Sequence, residues 1–235
     1  MLFRIIAGAS LTLALLFSGC ATEKGMAVLD TPAAGSQSSK PVYLMTVTLR
    51  NTFVPAYQPR LATVRLQKKL ANGNSTLVLV QPDLQARFES NSATTGCSYL
   101  LRMELEPGVY TLLGLSCLGQ SMYTNGTFYV PIQARLLPSA PGFFYLGHIE
   151  ATVRERKKNE FRAGPLLPSQ EQSVTGASSG TFDVEITDQW ETDSVKFETK
   201  FSALKGVNVQ KDVLPPFNRA RIQQWWDTNA FGDMP

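Results

Sequence analysis

From position 42 to position 187 the chain is cut into short runs rich in Val, Leu, Tyr, Phe and Thr, each closed by a cluster of Gly, Pro, Asn or Asp. Runs of that length and composition suit a half-buried pleated strand far better than a helix. The strands expected are Val42–Arg50, Leu61–Lys69, Thr76–Gln81, Ser98–Leu105, Val109–Leu118, Thr127–Leu136, Phe143–Arg156 and Thr181–Thr187. Turn chemistry sits between several of them, at Asn72-Gly73-Asn74, Pro107-Gly108, Asn125-Gly126 and Lys158-Asn159. This spacing predicts a mainly β chain, an antiparallel β-sandwich and not a parallel α/β sheet. No repeat period stands out.

Helical signals come only near the end. Phe197, Phe201 and Leu204 fit a helical stripe over Asp193–Leu204, with Asp193 as N-cap and Gly206 just past the end, although Val195, Phe197 and Phe201 also fit alternation. A further helix is expected after Pro215-Pro216, capped by Asn218, with Ile222, Trp225 and Trp226 on one side. The expectation is thus one or two short C-terminal helices on a single domain covering 41–235. Gly164–Gly180 reads as a long, flexible loop.

The opposite end carries a different signal. Residues 1–19 have one charge, Arg4, then an apolar run from Ile5 to Phe17 and the small pair Ser18-Gly19 before Cys20. This is the layout of an export signal, and the run is too short and too diluted by Gly8, Ser10 and Thr12 for a spanning helix. Leu16-Phe17-Ser18-Gly19-Cys20 resembles the lipobox of bacterial lipoproteins, with Phe17 where Leu is more usual. The resemblance implies cleavage before Cys20, lipidation of that cysteine and a membrane partner reached through the lipid. Two or three acyl chains hold stably where one does not. Ala21, in place of Asp after the cysteine, implies the outer membrane. Residues 20–40, polar and rich in Ala, Gly and Ser, read as a flexible tether with a reach of about 25 Å.

Removing residues 1–19 lowers the formal net charge of +3 by one. A balance so close to neutral predicts no nucleic-acid partner. Glu104-Leu105-Glu106-Pro107-Gly108-Val109-Tyr110-Thr111-Leu112 resembles a hairpin common in transthyretin-like and carboxypeptidase-regulatory-like β-sandwiches of bacterial surface proteins. It implies a transthyretin-like or Ig-like sandwich, usually a binding or structural module; fold analogy alone supplies no activity.

Candidate chemistry is sparse. Cys97 and Cys117 flank the Pro107-Gly108 turn, and a ladder pairing Leu105 with Val109 would bring them opposite one another as a disulfide, two buried free thiols being the alternative. His148 is the only histidine, so any nucleophilic triad would have to use it. Alternation places it on the strand face opposite Tyr145 and Ile149, as a surface or hydrogen-bonded side chain. Asp188, Glu191 and Asp193 surround Trp190 and read as a solvated turn. Arg154, Arg156, Lys157 and Lys158, with Arg162 nearby, form a candidate binding cluster for acidic head groups or cell-wall polymers. Trp225-Trp226 read as the docking stripe of the last helix. No metal box, phosphate loop or nucleophile elbow is present, so no cofactor is expected. The function expected is a non-enzymatic binding or structural module that braces another envelope protein or cell-wall polymer. The alternatives are a carboxylate-dependent enzyme on envelope glycans through Asp188 and Asp193, and a sugar or peptide binder using Tyr123, Tyr129 or Trp190.

Overall fold

The computed structural model describes residues 21–29, 39–88, 95–120, 125–165 and 172–228; Cys20 and Tyr123 lie outside the described residues. The strands are β1 (Thr22–Lys24), β2 (Pro41–Asn51), β3 (Arg60–Lys69), β4 (Ser75–Val80), β5 (Cys97–Glu104), β6 (Val109–Gln120), β7 (Asn125–Leu136), β8 (Gly142–Glu155), β9 (Gly180–Thr187) and β10 (Val209–Lys211). Two helices follow the strand-rich part, α1 (Trp190–Lys200), extended by a 3-10 turn at Ser202–Leu204, and α2 (Arg219–Thr228).

One sheet has the order β1-β4-β3-β6-β7, the other β10-β8-β2-β5 with β9 also on β8. The chain is mainly β, but the antiparallel expectation is corrected to two mixed sheets. β1 on β4, β2 on β8 and β10 on β8 are parallel pairs. Alternation aims Tyr43, Met45, Val47 and Leu49 of one sheet at Val64, Leu66, Leu115 and Val130 of the other, in one shared core. Removing this apolar surface from water is the main term holding the layers together.

The Pro107-Gly108 hairpin is also corrected. β5 pairs with β2, and β6 with β3 and β7, so the turn carries the chain from one sheet to the other. Both strands keep their alternation in either arrangement, which is why the local pattern could not separate them. Cys97 and Cys117 consequently come from opposed sheets and not from paired strands of one hairpin; both are buried free thiols in this structure.

Two further segments differ from expectation. The beginning of the 20–40 tether is folded: β1 adds to β4, Met26 and Leu29 are buried, and the Ala27 N–H donates to the Arg102 carbonyl at 2.8 Å. The described part of the Gly164–Gly180 loop packs inward through Gln172, Thr175 and Ala177, and the Asn51 amide donates to the Thr175 carbonyl at 3.1 Å.

The outer face of the second sheet carries a third layer. Phe197, Phe201 and Leu204 lie over Val42, Leu44, Leu100, Phe143 and Tyr145 in a second apolar cluster. Arg102, fully buried, donates to the Ala27 carbonyl at 3.0 Å, pairs with Asp83 and stacks on the Phe201 ring at 4.0 Å. The N-terminal segment, β5 and the end of α1 are thereby tied by one cation. As expected, α2 is capped by Asn218, whose side chain accepts from the Arg221 N–H at 2.9 Å, and Ile222 is its buried anchor.

Candidate functional site

A group of buried polar residues lies under the start of α1, on the outer face of β8 and β2. A bulge makes this possible. Tyr145 stands opposite Leu44 and His148 opposite Thr46, so β8 spends three residues where β2 spends two. The extra residue is absorbed next to Gly147, whose φ of +108° suits glycine. Tyr145 and His148 therefore share a face, against the simple alternation that separated them.

Asp193 descends from α1 onto this pair. It is fully buried, and its Oδ2 accepts from the Tyr145 hydroxyl at 2.7 Å and meets His148 Nδ1 at 3.1 Å. Lys196, one turn on, reaches Oδ1 at 3.2 Å. Burial alone would raise the pKa of this carboxyl, but the hydrogen bonds to His148 and Tyr145 outweigh it and bring the pKa down to about 2. It is an anion under all ordinary conditions. Burial and the adjoining carboxylate push the Tyr145 phenol in the other direction, well above its usual range.

On its far side His148 Nε2 lies 3.0 Å from the Thr48 hydroxyl, which lies 3.0 Å from the Ser98 hydroxyl. With the proton of a neutral ring on Nδ1, facing Asp193, Nε2 can accept from Thr48. The result is a relay Ser98, Thr48, His148, Asp193 that crosses β5, β2, β8 and α1. Sequence spacing hides it, since its members are separated by 45 to 100 residues.

The expected acidic turn is divided. Asp193 is neither solvated nor the N-cap; α1 begins at Trp190, and Asp193 lies inside it, facing the sheet. Asp188 stays outside, bonded to Lys211 at 2.8 Å and to the Trp190 N–H at 3.1 Å, which together hold its carboxyl below the usual range. Glu191 is exposed. Asp188, Trp190, Glu191 and Lys211 line an open cleft of about 390 Å³ beside the buried relay. Trp190 leans on Tyr145, with ring centres 4.9 Å apart.

No protein-family model, curated protein or solved structure matches the chain.

The basic cluster is largely self-satisfied. Arg154 grips Glu160 with two bonds of 2.8 and 2.7 Å and Asp183 with a third of 2.8 Å. Arg219 of α2 joins the same two carboxylates at 3.0 and 3.2 Å. The Arg154 bond leads in bringing the Glu160 carboxyl down to about 2, against an opposing effect of burial. Arg156 donates to the Glu160 carbonyl at 2.8 Å and Arg162 to that of Ser178, whereas Lys157 and Lys158 remain exposed. Of the aromatic candidates among the described residues, Tyr129 is buried with its ring centre 6.2 Å from that of Trp225, and Trp190 borders the cleft. Among the described residues no cluster of His, Cys, Asp or Glu is placed to hold a metal, and no helix is long and apolar enough to cross a membrane.

Proposed function

We propose that this chain is an envelope lipoprotein, fixed to the bacterial outer membrane through lipid on Cys20, whose layered β body binds or braces another envelope protein or a cell-wall polymer without turning it over. The membrane half of the reading comes from the apolar run that ends at Ser18-Gly19-Cys20. The short likeness of Glu104–Leu112 to transthyretin-like and Ig-like modules is consistent with a binding role.

One observation carries the binding half. A two-carboxylate hydrolase needs one acid that stays protonated near neutral pH and a partner facing it across a cleft. Asp193 is sealed under α1 and Asp188 is paired with Lys211, and both are pulled towards greater acidity. Their geometry serves packing and helix docking. The cleft of Asp188, Trp190, Glu191 and Lys211 has the mixed polar and aromatic lining of a recognition surface. The test is replacement of Cys20 by Ser in the native host. An uncleaved or soluble product is expected, and unchanged membrane retention would overturn the reading.

The order Thr48, His148, Asp193 favours a second reading, acyl transfer from a threonine hydroxyl activated by an imidazole and a carboxylate. Against it, Thr48 lies mid-strand in β2, whose backbone is paired on both edges, with β5 and β8, leaving no evident oxyanion donors there. Labelling of the purified protein by an active-site-directed fluorophosphonate, abolished by Thr48→Val, would favour this second reading over binding.

A further inference from the structure

The first residues after the lipidation cysteine are part of the folded body. β1 pairs Thr22 with Val78 and Lys24 with Val80, the Gln81 N–H donates to the Lys24 carbonyl at 2.8 Å, and Met26 is buried in the main core. Two residues of chain span at most about 7 Å, so the point of lipid attachment on the backbone at position 20 is within that reach of Thr22. The body therefore has no long lead and cannot stand off from the lipid.

The direction of β1 says which end meets the membrane. β1 runs parallel to β4, so its beginning points back towards the start of β4 at Ser75 and the β3–β4 turn of Leu70, Asn72 and Gly73. The turn between β5 and β6 and the end of β7 lie at the same end, where the Gly108 N–H donates to the Pro138 carbonyl. Leu70 and Leu137 are exposed there, 37% and 53%, beside the exposed cations Lys69 and Arg135, while the carboxylates Glu104 and Glu106 at the same end are paired with Lys40 at 3.3 and 2.8 Å. Exposed leucines among cations are the chemistry of a shallow contact with an anionic bilayer surface.

We infer that this end of the body, with Leu70, Leu137, Lys69 and Arg135, rests on the bilayer and fixes the orientation of the protein. The inference builds on the proposed lipid at Cys20. β8 begins at this end with Gly142 and finishes at Glu155, about 40 Å away at 3.3 Å per residue, so Lys158 lies far from the lipid, whereas the cleft beside Trp190, whose Lys211 stands opposite Tyr145, lies nearer the lipid-facing end. Lys158 marks the far end.

The test uses the full acylated protein in vesicles of phosphatidylethanolamine and phosphatidylglycerol. Single fluorophores are placed through Leu70→Cys, Leu137→Cys or Lys158→Cys, Cys97 and Cys117 being buried, and are quenched by lipids with a nitroxide near the head group. Intact mass of each sample reports acylation of Cys20. Quenching at positions 70 and 137 at least about threefold that at 158 is expected, since interfacial side chains sit only about 5–10 Å into the head-group region. An acylated protein with equal quenching at all three positions, or most at 158, overturns the orientation alone. A protein whose Cys20 carries no acyl group overturns the lipoprotein reading, and the orientation falls with it.

Discussion

Replacing Asp193 by Asn leaves the side-chain shape almost unchanged and removes the charge that His148, Tyr145 and Lys196 surround. The carboxyl sits at about 2, against an ordinary 3.8. At about 1.36 kcal/mol for each tenfold change in proton affinity, this difference corresponds to roughly 2 kcal/mol of folding free energy. The sign follows from the direction. The folded value lies below the unfolded one, so the stabilisation is complete above about pH 5, falls to roughly half near pH 3 and is gone below about pH 2. Urea unfolding of wild type and Asp193→Asn, followed by tryptophan fluorescence, reads it, because Trp190 abuts Tyr145 in the same cluster. At pH 7 the variant is expected to lose about 2 kcal/mol, or about 4–8 °C in Tm for a domain of this size, and the gap is expected to narrow with acid. Equal midpoints at pH 7, or a gap as wide at pH 3 as at pH 7, would refute the view of Asp193 as a buried anion that pins α1 to the sheet.

Three more outcomes follow from the geometry. Gly147→Ala meets the Thr187 carbonyl oxygen at 3.0 Å and keeps a φ of +108°, so it should cost about 1–3 kcal/mol in thermal unfolding; a neutral change would mean the β8 bulge is not fixed as described. Glu160→Gln releases Arg154 and Arg219, and a loss of about 1–2 kcal/mol with earlier melting of α2 is expected by hydrogen exchange, whereas a cost under about 0.3 kcal/mol would reduce the network to ornament on the surface. Cys97 and Cys117 should resist alkylation in the folded protein, since burial raises the Cys117 thiol well above its usual range, and both should titrate after unfolding without reductant; a missing pair of thiols would restore the disulfide.

Strand positions were legible because alternation between the shared core and an outer face is a local property. Each expected strand from Val42 to Thr187 matches an observed one within about two residues at either end. Pairing was not legible. The parallel contact of β2 with β8 joins residues about a hundred positions apart, and alternation within each strand is satisfied by many partners. The relay was hidden for the same reason and one more: simple alternation put His148 opposite Tyr145, and only the bulge at Gly147 brings them to one face. Asp193 was misread because an acid near a helix start resembles a cap, while here Phe197 and Trp190 carry that part of α1 onto the sheet and take Asp193 with them. β1 was missed because Thr22-Glu23-Lys24 has no apolar period, being an edge strand held by backbone bonds and anchored by Met26 behind it. Arg154 illustrates the converse, a cation that reads as free in sequence and is engaged in space by Glu160 and Asp183.

Membrane attachment depends on Cys20 in the proposed reading, and the intact mass of the protein extracted by detergent from its own envelope tests it directly. The expected species starts at Cys20 and carries the mass of two or three acyl chains; a chain with a free, unmodified N-terminus at any other residue would contradict it.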